Sequence, residues 1–205
     1  MNLLEKRIVE LSFKHKLSHI SSCLNCVNLI DWIYDQRKMH IPYGDGDPFI
    51  LDNGHASLAH YVVLEKWKMC DADEMIAWHG VHASRDMEHG IWVSGGSLGQ
   101  AATISVGMAM ADKNRTVWLV TSDGSCMEGA TCEAIRVASR HCPNLKIYIV
   151  FNGFGAYGEI KHGDLPIEPN CQIHYVDQRH YPSWLRGLQG HYLVLDESQY
   201  QELMA

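Results

Sequence analysis

No stretch of this sequence stays apolar for the roughly 18 residues that a membrane-spanning helix needs, and the charged N-terminus MNLLEKRIVELSFKHK contains no signal-peptide core. The expectation is a cytoplasmic protein with no membrane partner. Basic charge is scarce: 17 Lys and Arg against 24 Asp and Glu give a formal charge of -7. A nucleic-acid partner is not expected, because phosphate binding needs a basic face. Seven cysteines, odd in number and scattered, do not build a disulfide framework. Cys23-x-x-Cys26 has no second CxxC to complete a four-cysteine zinc site, and reads as two small residues in a helix. The phosphate loop GxxxxGK[ST], the dinucleotide fingerprint GxGxxG and the nucleophile elbow GxSxG are all missing.

What is present suits a soluble α/β domain. Of 205 residues, 46% are hydrophobic and 20% charged, an ordinary globular balance. Leu3 to Leu17 carries an amphipathic stripe, and a second helix is expected from about Cys23 to Gln36. IPYGDGDP at 41–48 reads as a loop, Phe49 to Leu51 as a short buried strand, and a third helix runs from about His55 to Met69. Asp71 caps a short helix ending near His79. Gly80 to Gly96 has no period and reads as a long loop of the kind that often carries function. A helix of small residues spans Ser97 to Asp112. TVWLVT at 116–121 and KIYIVF at 146–151 are apolar throughout, with a helix over Glu128 to His141 between them. Ile173 to Val176 is a third strand. The tail holds a short helix near Trp184, a strand over Tyr192 to Leu195 and a terminal helix. Strands alternating with helices, two of them wholly apolar, imply a parallel sheet flanked by helices on both faces. We read residues 1–205 as a single domain with an N-terminal helical segment and a shortened C-terminal end.

In such sheets ligands gather at the carboxyl ends of the strands. TVWLVT is followed by Ser122-Asp123-Gly124-Ser125, and KIYIVF by Asn152-Gly153-Phe154-Gly155. Asp123 offers a carboxylate and Asn152 an amide carbonyl, the oxygen ligands that Mg²⁺ or Ca²⁺ takes, completed by a main-chain carbonyl and ligand phosphates. Gly124 permits a close phosphate, and a helix entered through Ser125-Cys126-Met127 would aim its N-terminus at it. Either dipeptide alone is an ordinary turn. The pair, flanking one helix, points to a diphosphate clamp.

With these residues in view the sequence resembles the transketolase family. Asp123-Gly124 with the later Asn152 is similar to the thiamine diphosphate motif, and SDGSCMEGATCEA resembles its transketolase version. LDNGHASLAHYVVL at 51–64, SGGSLGQAATISVGMAMA at 94–111 and KLSHISS at 16–22 resemble further family segments in the family's order. The resemblance implies thiamine diphosphate and Mg²⁺ or Ca²⁺ as cofactors. It implies Asp123, Asn152 and the backbone carbonyl of Phe154 as metal ligands, Gly124 at the diphosphate, and Gly96 and Leu98 near the cofactor rings. It implies His19, His55 and His82 around cofactor and substrate, with His79 or His89 competing for the third place. Glu128 matches a glutamate at the subunit interface that supports the partner's cofactor-activating glutamate. Histidine suits the proton movements of ketol transfer near neutral pH, while the cofactor supplies the carbanion chemistry.

The sequence departs from the family in places. Ser122 replaces the first glycine of GDG, and Ser97 the proline of GPLG. No late histidine matches the family's His-Thr-x-Lys-Gly context; His162, His174, His180 and His191 are candidates only by residue type, and surface positions are expected for them. The matching segments stop short of the family's pyrimidine-binding domain, which is expected on another chain. The resemblance therefore implies the N-terminal subunit of a two-component transferase, active with a separate pyrimidine-binding chain in a heterotetramer and acting on a sugar-type substrate. Alternatives are a component of a thiamine-dependent 2-oxoacid decarboxylase or dehydrogenase, and a non-catalytic cofactor-binding relic. Arg85, in the long loop, reads as a solvated side chain.

Overall fold

The computed structural model describes residues 1–38 and 46–205, so most of the loop expected over 41–48 lies outside the described residues. The chain opens with two helices. Helix α1 (Leu3–His15) starts at Asn2, whose side chain accepts the Glu5 N–H while the Glu5 carboxylate accepts the Asn2 N–H. Helix α2 (Ile20–Gln36) begins three residues earlier than the sequence pattern suggests. The break before it is compressed into His19, whose backbone is left-handed (φ 65°), an uncommon state for a residue with a side chain.

The described main sheet has four parallel strands in the order β1 (Phe49–Leu51), β2 (Val117–Ser122), β3 (Leu145–Phe151) and β6 (Cys171–Tyr175). A small antiparallel pair, β4 (Phe154–Gly155) and β5 (Gly158–Glu159), lies between β3 and β6 in sequence. Side chains alternate across a strand, and β2 and β3 divide theirs between two cores. Trp118, Val120, Tyr148 and Val150 join the cluster built with α1, α2, α3 (Ser57–Lys66) and α4 (Ala72–His79). Val117, Leu119, Ile147 and Ile149 join the cluster built with α5 (Gln100–Ala111) and α6 (Gly129–His141). Burial on both faces is what the unbroken apolar runs require, and the expected parallel α/β architecture is observed.

Several element boundaries differ from the expectation. The third helix splits into a 3₁₀ turn (Gly54–Ala56) and α3, joined where the Ser57 hydroxyl donates to the Gly54 carbonyl at 2.6 Å. Helix α5 starts at Gln100 instead of Ser97, because Gly99 is left-handed (φ 83°) and its N–H goes to the Asp52 carboxylate. Only a 3₁₀ turn (Ser125–Met127) follows Asp123-Gly124 directly, and α6 begins after an extended Glu128. The strand expected over Tyr192 to Leu195 does not form. Leu195 is buried in the larger core and Leu193 packs against it, so their apolar pattern is met by packing, without a strand partner. The tail instead forms α7 (Gly187–His191) and α8 (Glu197–Met204), with Tyr200 stacked on Phe13 of α1. Among the described residues no helix is long and apolar enough to cross a membrane.

Candidate functional site

The carboxyl ends of β1, β2 and β3 open into one cavity of about 280 Å³. Parallel pairing of β2 with β3 sets Ser122 level with Val150, so the turns that follow are neighbours. The first turn is closed by Ser122, whose hydroxyl accepts the Ser125 N–H at 3.1 Å and donates to the Ser125 hydroxyl at 3.2 Å. Serine thus makes this turn without glycine's conformational freedom.

Asp123 is 3% exposed. Its Oδ2 accepts the N–H groups of Asn152 at 3.0 Å and Gly153 at 2.8 Å, and its Oδ1 that of Gly124 at 2.9 Å. Gly153, left-handed at φ 83°, presents its N–H beside that of Asn152. Burial raises the carboxyl pKa above its ordinary value, and the N–H groups of Gly153, Asn152 and Gly124 oppose that rise. The Asn152 Oδ1 accepts the Phe154 N–H at 2.8 Å.

This donor set fits a hard cation. A carboxylate has about four lone-pair positions; three are filled by backbone N–H groups, and the Asn152 oxygen also has acceptor capacity to spare. Among the described residues no group of three or more His, Cys, Asp or Glu gathers around a metal position. A cation here would lean on amide, main-chain and ligand-phosphate oxygens. Three buried polar atoms of cavity-lining residues, His19 Nδ1, Asn25 Nδ2 and Asn53 Oδ1, have no hydrogen-bond partner in the protein. Such atoms are costly unless a ligand or water satisfies them.

Facing the Asp123 and Asn152 turns are the histidines. His19 stands at the mouth of α2, His55 on the 3₁₀ turn after β1, and His82 on the long loop; all three line the cavity. The loop is brought in by a close backbone approach. A Cβ on Gly54 would lie 2.4 Å from the Gly96 nitrogen, and one on Gly95 would lie 2.7 Å from the Gly54 Cα. Gly96 and Leu98 enter the cavity from the same loop. Burial lowers the His19 pKa to about 4 and the His55 pKa to about 3, with neighbouring imidazoles adding to both shifts. His79 and His89, the competitors of His82, are engaged elsewhere: both rings bond Asp86 Oδ2, at 3.2 and 2.7 Å.

Gly124, Asp123, Asn152, Phe154, His19, His55, His82, Gly96 and Leu98 therefore meet in one cavity, and Glu128 does not line it. Glu128 is exposed at the start of α6. Arg85 is also exposed, and its backbone N–H bonds Ser94. His162 and His180 are exposed, as expected. The expectation fails for His191, which lines the cavity together with Tyr192. Sequence reading also missed Ser22, Asn25 and Cys26, an edge at helical spacing on α2, and Asn53. The spacing of Ser22 and Asn25 from His19 was a usable signal.

A family profile described as the transketolase thiamine diphosphate binding domain matches residues 9–153. The chain is 31% identical over 150 residues to one of the subunits of the apulose-4-phosphate transketolase of Phocaeicola vulgatus, covering 66% of this chain and 53% of that protein. It is 32% identical over 156 residues to ferredoxin fas2 of Rhodococcoides fascians, covering 68% and 51% respectively. The chain thus spans about half the length of these curated relatives. Among solved structures, a transketolase variant from Pichia stipitis superposes with a TM-score of 0.63 at 19% identity, covering 77% of this chain and 28% of that one. That likeness is one of fold.

Proposed function

The chain belongs to the transketolase family, its matched segment being the thiamine diphosphate-binding domain, and on that premise we propose that it is the diphosphate- and metal-holding component of a two-component thiamine diphosphate-dependent transferase. The observation that carries the reading is the Asp123 carboxylate, fixed by three backbone N–H groups beside Asn152 and facing His19, His55 and His82 across one cavity.

Asp123, the Asn152 side chain and the Phe154 main-chain carbonyl would hold Mg²⁺ or Ca²⁺, and Gly124 would leave room for the diphosphate. Gly96 and Leu98 would border the rings. When bound, thiamine diphosphate supplies the carbanion chemistry. The chain's own residues do the rest: His19, His55 and His82 orient substrate oxygens and carry protons. Neutral imidazoles can donate at one nitrogen and accept at the other, which suits hydroxyl and carbonyl groups.

A separate chain would supply the pyrimidine-binding domain and its glutamate. The Phocaeicola vulgatus relative, by its name one subunit of its enzyme, supports a divided arrangement. Exposed Glu128 is proposed to meet that chain, and a heterotetramer is the expected assembly. The transferred unit would be a ketol or related acyl group passed between sugar-type molecules.

Titration calorimetry with thiamine diphosphate and Mg²⁺ tests the reading. Wild type should bind in a metal-dependent way, and Asp123→Ala should lose binding about tenfold or more. Absence of binding in both, with the pyrimidine-binding chain present, sinks the reading. Full turnover by the purified chain alone would sink the two-component part of it.

A further inference from the structure

Beside the cavity runs a second, wider groove of about 610 Å³, and Asn152 and Phe154 line both. Its far side is the tail beyond the matched segment, and that tail is firmly docked. Gln178 donates to Ser21 and Asn25 of α2 and accepts the Gly187 N–H. Gly187, left-handed at φ 58°, faces the Phe154 ring, and a Cβ on Gly190 would sit 2.1 Å from the Leu185 carbonyl oxygen. At the end of α7, His191 packs against His19, 4.6 Å away between ring centroids.

Two arginines set the charge of this groove. Arg186 is half-buried. Its Nε donates to the Tyr181 carbonyl at 2.6 Å and its Nη2 to the Arg179 carbonyl at 2.7 Å. Both partners are uncharged, and among the described residues no carboxylate lies within ion-pairing distance of Arg186. Arg179 differs: its Nε and Nη2 grip Asp177 at 2.8 and 2.7 Å, so that pair carries no net charge. Asp177 is the one carboxylate among the described residues that line the groove. What remains is one positive charge, held in place by backbone carbonyls. The Nη1 of each guanidinium and the Ser183 hydroxyl have no partner in the protein.

This donor set favours an oxyanion. A guanidinium edge matches phosphate oxygens closely, and a charge that is half-buried is less screened by salt than one in open solvent. The oxygens of Asp177, which would repel an anion, are already occupied by Arg179. The chain as a whole carries a formal charge of -7, and among the described residues no Lys or Arg lines the neighbouring cavity. An anion approaching this side of the molecule therefore meets its counter-charge in the groove.

We propose that the groove is an anion subsite that takes a phosphate group, with Arg186 as its fixed charge and the Arg179 Nη1 and Ser183 hydroxyl as further donors. Free phosphate and a phosphate ester share this chemistry, and the experiment below separates them. The proposal goes beyond the cofactor reading and does not depend on it, because none of these three donors lines the cofactor cavity.

The test uses the full chain without added metal, so that the Asp123 and Asn152 turns cannot hold a phosphate through a cation. In arginine-selective ¹H–¹⁵N spectra, inorganic phosphate and glycerol 3-phosphate should shift the Arg186 and Arg179 side-chain signals, with dissociation constants of about a millimolar. Glycerol, and sodium chloride at matched ionic strength, should not shift them. A tighter response to glycerol 3-phosphate identifies an ester as the occupant, and a tighter response to inorganic phosphate identifies the free ion. Leu188→Glu sets a negative charge on an exposed side chain of the groove and should weaken phosphate binding about tenfold. Arg186→Gln, which removes the fixed charge, should weaken it at least as much. Leu188→Glu decides the matter if Arg186→Gln does not fold. Signals that answer sodium chloride as they answer phosphate, or phosphate affinity unchanged in Leu188→Glu, would overturn the proposal. Thiamine diphosphate is absent throughout, so neither result touches the cofactor reading, which calorimetry tests separately.

Discussion

The hydroxyl of Ser57 accepts the backbone N–H of Ala83 at 3.2 Å while donating to the Gly54 carbonyl at 2.6 Å. One buried side chain thereby joins the turn that carries His55 to the loop that carries His82. The loop is further pinned where the Gly95 N–H reaches the Ala83 carbonyl at 2.8 Å. This small network ties the His55 turn directly to the His82 loop, a shorter link than the chain's own route through α3 and α4.

Replacing that hydroxyl should loosen the site more than the fold. Ser57→Ala leaves the Ala83 N–H buried without its acceptor, a cost of about 1–3 kcal/mol. The midpoint of thermal unfolding should drop by a few degrees, while thiamine diphosphate affinity falls by a larger factor than that loss alone explains. Calorimetry and a melting curve on the same preparation separate the two effects; unchanged affinity would show that the link does not matter for binding.

Asp52 is the anchor of the other loop. Its buried carboxylate accepts N–H groups of Gly99 and Ala102 at 3.0 and 3.2 Å and the Thr121 hydroxyl at 3.0 Å. Asp52→Asn must turn an amino group toward one set of these donors. A loss of about 2–3 kcal/mol is expected, read as a lower urea midpoint with an unaltered slope.

Two glycines should answer alanine in opposite ways. Gly54→Ala drives a methyl group into the Gly95–Gly96 backbone and should cost about 1–3 kcal/mol together with cofactor binding. Gly107→Ala, inside α5 with nothing within 4 Å of the new carbon, should stabilise the isolated chain by roughly 0.5–1 kcal/mol. Melting temperatures that move in the same direction would contradict this assignment of strain.

Acid should destabilise the chain before ordinary carboxylates titrate. The pKa values of His19, His55 and His60 are lowered from 6.5 to about 4, 3 and 3, burial being the first cause for each. For His60 the ring also bonds the Tyr34 hydroxyl at 2.6 Å. Between pH 6.5 and about 4 the unfolded chain binds protons that the folded chain excludes, so stability falls as pH falls through that window. Each fully excluding imidazole contributes up to about 1.4 kcal/mol per pH unit, with half-buried His19 contributing less. Unfolding midpoints measured from about pH 8 to 4.5 should be flat above the ordinary imidazole range and decline below it. A profile flat down to about pH 5 would show that these rings protonate in place.

The sheet was legible because two runs, TVWLVT and KIYIVF, leave no polar face and therefore demand cover on both sides. The cap at Asp71 was legible because it is local: its carboxylate accepts the N–H groups of Asp73 and Glu74, two and three residues on. The turns bearing Asp123 and Asn152 could be placed side by side once their strands were read as neighbours. Helix starts were less legible. The early start of α2 depends on a left-handed His19, and the late start of α5 on Asp52, a residue remote in sequence. His191 could not be placed at all from its neighbours in the chain, since Gln178, Gly190 and the α2 helix hold it through tertiary contacts. The apolar run Tyr192 to Leu195 looked like a strand because such a run suits one, but it says nothing of whether a hydrogen-bonding partner is at hand.

The contact between His19 and His191 also bears on the order in which the molecule folds. It closes a loop of most of the chain, and closures of that length carry a large entropic cost that is offset only after the intervening structure has formed. The sheet and the turns of Asp123 and Asn152 can assemble while the tail is still free, leaving the mouth of the cavity as the last part to seal. In native-state hydrogen exchange, the amides around Gly187 to Tyr192 should then open at a lower free energy than those of β2 and β3, so that the rim of the cavity loosens before its floor.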